Sequence, residues 1–348
     1  MIKHWWKFFG VLFMLYAIIA GFLMPLKPGI TNVSPRNLIS GELSTITVST
    51  YNAKLNVVPS NDLRAWIVYN SESSVQAKSI KTAKDNTGNL EIDFELPEFN
   101  PTSDSLSYYS LVIDGPGIGS FVLPSGVFIS QDSVNLEKGE NLWSNGAFTN
   151  LNDYKGFAIP FRNILQETLR NTYFHVSLWF SMFILYFVSV IYSINYLRRK
   201  KLDYDNIASS LVEVGTLFGI LGFATGSVWA KNTWGAYWTP DVKLNMAAIS
   251  MMIYLAYLVL RSSIADDDRK AVIASSYNIF AFFIIIPLIF VIPRLTDSLH
   301  PGNGGNPGFG GDDMDNTMRM VFYPAIIGFT LLGIWISSLS IRYKRLKN

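Results

Sequence analysis

The sequence predicts a polytopic α-helical membrane protein of six transmembrane helices, with an all-β, immunoglobulin-like sandwich inserted in its first periplasmic loop. Three observations carry this. Of 348 residues, 49% are hydrophobic and 16% charged, too apolar a balance for an ordinary soluble domain. Six apolar runs are each near the length that crosses a bilayer. Between residues 27 and 150 the hydropathy falls and the apolar period changes from helical to alternating. The predicted boundaries are a first helix at 1–26, a β-sandwich at 27–150, an amphipathic connector at 151–172 and a five-helix membrane domain at 173–348.

The first apolar run, 8–26, follows Lys3 and Lys7 and has no small-residue cleavage site after it, so it reads as an uncleaved helix. In the β region, Leu90, Ile92, Phe94 and Leu96 alternate with Glu91, Asp93 and Glu95, as in a half-buried strand. Shorter alternations recur at 45–49, 66–69, 109–113, 121–123 and 127–129. Turn signals separate them at Asp85-Asn86-Thr87-Gly88 and Asp114-Gly115-Pro116-Gly117. This region has no histidine and no cluster of metal ligands, which points to partner binding or spacing rather than catalysis. In the connector, Pro160 is expected to open an amphipathic helix on the membrane surface, with Phe161, Ile164, Leu165 and Leu169 on its apolar face.

Five further runs follow at 173–196, 207–229, 244–260, 271–292 and 321–340. With the N-terminus inside, the inner segments carry Arg198-Arg199-Lys200-Lys201, Arg269-Lys270 and Lys344-Arg345, whereas the outer short loops carry only Lys231, Lys243, Arg294 and Arg319. That bias sets both termini in the cytoplasm and the β region on the periplasmic side of a bacterial inner membrane. The net charge of +2 is too small to argue for nucleic acid. Zero cysteines exclude disulfides, thiolate metal sites and cysteine nucleophiles. His, carboxylates, hydroxyls and aromatic rings remain.

Aromatic residues gather in the loop at 225–241, where Trp229, Trp234, Tyr237 and Trp238 stand between two apolar runs. An interfacial belt is one reading; a stacking wall for a planar ligand is the other. Thr239-Pro240-Asp241 also reads as a helix start, with Thr239 as N-cap and Pro240 in the first turn. His175, at the outer start of the second helix, and His300, in the loop after the fifth, share a depth with these rings. Haem wants this set: iron takes axial imidazoles from opposite sides, and the porphyrin accepts ring contacts. Zinc with two His and no thiol is short of ligands. Lys231, Lys243, Arg294, Arg319 and Arg170 are open candidates for propionate partners.

The stretch from Gly226 through Trp229-Ala230-Lys231-Asn232-Thr233-Trp234-Gly235-Ala236-Tyr237-Trp238-Thr239-Pro240-Asp241 to Leu244 resembles the tryptophan-rich "WWD" signature of the CcmC/CcsA family of cytochrome c maturation haem-handling proteins. Tyr173-Phe174-His175-Val176 and Ser298-Leu299-His300 resemble that family's two outer axial histidine motifs, and six helices resemble its CcmC branch. The resemblance implies haem b held by His175 and His300 and presented to a periplasmic haem chaperone, CcmE, beside an ABC-type CcmAB complex and the small subunit CcmD. In that reading Trp229, Trp234, Tyr237 and Trp238 hold the porphyrin, and Asp241 orders the loop, contacts the chaperone or serves its helix start. Tyr237 and Pro240 depart from the family pattern, and the β region is additional to it.

Elsewhere, Pro301 and the Gly-rich segment to residue 311, with Asp312, Asp313 and Asp315, read as a solvated loop, a cover or a chaperone contact. Glu213 lies inside the third run as a cavity or bundle contact, and Met246, Met251 and Met252 read as packing residues. Two rival functions stay open: a cytochrome c synthase acting directly on apocytochrome, and a receptor whose β-sandwich binds an extracellular partner.

Overall fold

The computed structural model describes residues 4–55, 58–82, 88–143, 149–300 and 314–347. The chain divides into two compact units, one of Met1–Met24 with Glu167–Asn348 and one of Pro25–Gln166. Helix α1 (Trp5–Leu23) belongs to the first unit. The second holds β1 (Gly29–Ser34), β2 (Asn37–Ile39), β3 (Leu43–Tyr51), β4 (Arg64–Val68), β5 (Ser74–Gln76), β6 (Ser79–Thr82), β7 (Asn89–Glu95), β8 (Leu106–Gly115), β9 (Gly119–Ser130) and the short helix α2 (Leu136–Trp143).

The strands make a four-stranded sheet, β1-β3-β7-β6, and a five-stranded sheet, β2-β9-β8-β4-β5. All pairs are antiparallel except β2 with β9. The alternation in β7 has the expected consequence: Leu90, Ile92 and Phe94 are fully buried and join Ile67, Leu111, Ile113 and Val127 of the other sheet in one core. Trp143 of α2 stacks on Tyr109 at 4.8 Å. The buried Asp114 accepts from Arg64 at 2.5 Å and from both the backbone and side chain of Asn152 at 2.7 Å, so its charge is compensated.

Two expectations for this unit need correction. The runs at 121–123 and 127–129 are one strand, β9; Pro124-Ser125-Gly126 is a kink within it, with Ser125 at φ +51° and a register shift opposite Tyr109 and Leu111. No α-helix starts at Pro160. Ile159 pairs with Leu26 in a backbone bridge and the ring of Phe161 stacks on Tyr51 at 5.4 Å, so the first side chain meant for a membrane-surface face is engaged in the β unit, while Ile164 is 82% exposed. Gln166, at φ +44°, then interrupts any helical path, and only a short 3₁₀ turn, Gln166–Asn171, precedes the next helix.

The helical unit adds α3 (Thr172–Arg199), α4 (Leu202–Trp234), α5 (Val242–Ser262), α6 (Asp267–Phe290) and α7 (Asn316–Lys347). With α1 these make six helices long and apolar enough to cross a membrane. The predicted spans underestimate α4 and α7, whose polar ends are still helical. Packing of α3 on α4 rests on four glycines. A Cβ on Gly215, Gly219, Gly222 or Gly226 would come within 3 Å of Tyr186, Met182, Trp179 or His175 respectively, so a ladder of glycines on α4 admits a ladder of large side chains on α3.

Candidate functional site

His175 sits in the first turn of α3. Its Nδ1 lies 2.8 Å from the Gly222 carbonyl and 3.4 Å from the Thr225 hydroxyl. A carbonyl only accepts, so Nδ1 carries the proton and Nε2 is the nitrogen left for a ligand. Gly226 makes the approach possible: a Cβ there would lie 2.6 Å from the imidazole Cε1.

His300 reaches the same end of the bundle from the segment between α6 and α7. The two imidazole centres are 6.4 Å apart, with planes inclined by 28°. Asp241 ties this segment down. Its Oδ1 accepts from the N–H groups of Lys243 and Leu244, at 2.9 and 3.4 Å, and Oδ2 accepts from the N–H of Leu299 at 2.8 Å. Asp241 itself is therefore the N-cap of α5, in place of Thr239, because its carboxylate reaches the free amides of the first turn. Burial pushes its pKa up, but hydrogen bonds from Ser298, Leu299, Lys243 and Leu244 outweigh burial and hold the carboxyl below its ordinary range.

The four aromatic residues do not share one loop. Trp229 and Trp234 lie in the last turns of α4, which continues to Trp234 because nothing before Gly235, at φ +81°, ends it. They form one group with His300: its ring is 5.5 Å from Trp229 and 5.8 Å from Trp234, which meet edge to face at 4.8 Å. Trp238 instead approaches Phe223 at 6.0 Å, Phe223 meets Trp179 at 5.3 Å, and Trp179 meets His175 at 6.4 Å. Tyr237 is 62% exposed and turned to Lys231, whose ammonium lies 5.7 Å from its ring. Trp179, Phe223 and Gly222 were missed in the sequence, and Gly226 was named there only as the start of the signature stretch. The glycine spacing 215, 219, 222, 226 was the available signal for them.

Of the cations near in sequence, Arg170 is engaged elsewhere: it donates to the Gly21 and Met24 carbonyls at 2.8 and 2.6 Å, capping α1, and pairs with Glu167. Lys231 donates to the Gly235 carbonyl at 2.8 Å. Arg319 donates to Asn316 at 3.1 Å. The segment 301–311, Asp312 and Asp313 lie outside the described residues.

A family model described as heme exporter protein C (CcmC) matches residues 146–348, more than half of the chain. The chain belongs to the heme exporter protein C family. The match covers α3 to α7 with both histidines and Asp241, and starts after nearly all of the β unit. A cytochrome c biogenesis protein CcsA from Pelargonium hortorum is 36% identical over 113 residues, 32% of this chain and 35% of the relative. Heme exporter protein C of Bradyrhizobium diazoefficiens is 28% identical over 182 residues, 52% of this chain and 68% of the relative. The Haemophilus influenzae heme exporter protein C is 28% identical over 138 residues, 40% and 55% of the two chains. Two of these relatives are thus spanned over less than two thirds of their length.

Proposed function

We propose that the chain binds haem b between His175 and His300 and presents it to a haem chaperone of the CcmE kind during cytochrome c maturation. The imidazole pair carries the reading. Metal–nitrogen bonds of about 2 Å, plus about 1 Å from nitrogen to ring centre, would set two axial imidazoles about 6 Å apart with iron between them. The 6.4 Å separation is close to that figure. The Nδ1–H of His175 on a backbone carbonyl is the outer hydrogen bond that orients a metal-binding imidazole.

Haem iron, when bound, supplies the coordination chemistry; the chain supplies the grip. His175 is the rigid side of that grip, seated on the glycines of α4. His300 is the other side, carried outside the helices and flanked by Trp229 and Trp234, and exchange of one axial His allows release to a chaperone. Trp238 and Trp179 offer further ring surface beside His175. Two strong axial ligands disfavour oxygen chemistry, which suits transfer rather than turnover. The excess of Lys and Arg at the opposite end supports a periplasmic setting for the histidines in an inner membrane, with CcmAB and CcmD as partners.

The test is the visible spectrum of the detergent-purified protein from haem-sufficient cells beside His175→Ala and His300→Ala. A low-spin spectrum that is lost in both variants is expected. A colourless protein that does not take up added haemin would sink the proposal and shift attention to the β unit, whose deletion would then abolish function.

A further inference from the structure

Asp241 lies among the aromatic residues of the site, yet none of its contacts points toward the imidazole pair. We infer that it is a positioning residue, which sets His300 in place through the backbone of Ser298 and Leu299; the inference rests on the haem reading above. Its two oxygens face different elements. Oδ1 satisfies the N-terminal amides of Lys243 and Leu244 and so belongs to α5. Oδ2 receives the Leu299 N–H at 2.8 Å, across 58 residues of chain, and the Ser298 side chain also bonds the carboxylate. The Ser298 hydroxyl in turn accepts the His300 backbone N–H at 3.1 Å. A chain of hydrogen bonds thus runs from the rigid start of α5 to the backbone of the ligand.

The segment needs such an anchor. Residues 295–300 form neither helix nor strand, and their large apolar side chains, Leu295 and Leu299, are 76% and 65% exposed, so apolar burial contributes little to the position of this stretch. Asp241 is 7% exposed, and an ionised acceptor makes stronger hydrogen bonds than a neutral one. Trp229 and Trp234 steer the imidazole ring; Asp241 steers the backbone that carries it.

The divided carboxylate makes the role separable by experiment. Asp241→Asn keeps one oxygen for α5 but turns an amide donor toward the Leu299 N–H. In full-length, haem-loaded protein this variant should melt close to wild type while its haem shifts from low spin toward a mixed-spin spectrum. Its apparent affinity for added imidazole should rise about tenfold, the size expected for loss of one charge-assisted hydrogen bond. Ser298→Ala should move both readouts the same way, by less. In a His300→Gly background, Asp241→Asn should change neither spectrum nor imidazole affinity. An Asp241→Asn or Ser298→Ala protein with wild-type spectrum and imidazole affinity overturns the positioning role alone. So does a full additional effect in the His300→Gly background. A wild-type protein without low-spin haem, or a His300→Gly variant identical to it, overturns the ligand assignment and this role with it.

Discussion

The two ends of the helical unit treat polar side chains in opposite ways. At one end every charge named here has a partner on another helix or turn: Arg261 grips Asp205 through two hydrogen bonds of 2.8 and 2.5 Å, Lys344 meets Glu213 at 2.7 Å, and Arg345 holds Asp203. The Arg261–Asp205 and Lys344–Glu213 pairs line a cavity of about 340 Å³ that also borders Lys270. At the other end, beside the Arg170–Glu167 pair, the two imidazoles are accompanied by five nearby rings and by the Asp241 carboxylate, which accepts only from N–H and O–H groups. The lesson is one of cost. An isolated charge at membrane depth costs several kcal/mol, so each must bring its counter-charge, and the pair then fastens two helices. An imidazole stays neutral at little cost, so one nitrogen can be left for a ligand. One end is closed on itself, and the other is open to chemistry.

Breaking the closed end should have the largest effect on stability. Asp205→Ala leaves Arg261, 15% exposed, without its carboxylate and should cost about 3–5 kcal/mol. Asp205→Leu with Arg261→Met should recover most of that loss. Thermal unfolding in detergent reads both, and a single variant that melts like wild type would erase the distinction between the ends. Next, Gly226→Ala and Gly215→Ala should each cost about 1–3 kcal/mol by overpacking, since each new Cβ would lie 2.6 Å from a ring atom of α3. Only Gly226→Ala, which displaces His175, should alter the haem spectrum. Glu213→Gln should cost only about 1 kcal/mol, because Glu213 is 39% exposed.

Acid should leave the Asp241 anchor intact over the physiological range. A carboxyl whose folded pKa is depressed contributes stability that is present above the unfolded value, 3.8, and lost as pH falls through the lower folded value. The gap in imidazole affinity between wild type and Asp241→Asn should therefore be flat from about pH 8 to about pH 5 and shrink only below about pH 4. Smallest of all, Tyr237→Ala should stay within about 0.5 kcal/mol and leave the spectrum unchanged, because the ring is exposed and turned to Lys231. A spectral change in that variant would return Tyr237 to the ring surface of the site.

Much of this was legible in the residues. The alternation of Leu90, Ile92 and Phe94 gave both the strand and its buried face, and six apolar lengths gave six helices. The Pro160 helix was misread because Phe161 is apolar at helical spacing whatever it packs on, and here it packs on Tyr51. Glu213 was legible as a bundle contact, but not its partner Lys344, which lies 131 residues away.

Apolar length, hydrophobic period and the identity of two histidines near one membrane face are properties of short stretches, so the sequence by itself determined them. Which rings meet which histidine, that Asp241 serves α5 and the His300 segment at once, and that one end of the bundle is closed by ion pairs are decided by tertiary structure. Each depends on side chains brought together from tens of residues apart, where packing geometry rather than local pattern selects the partner.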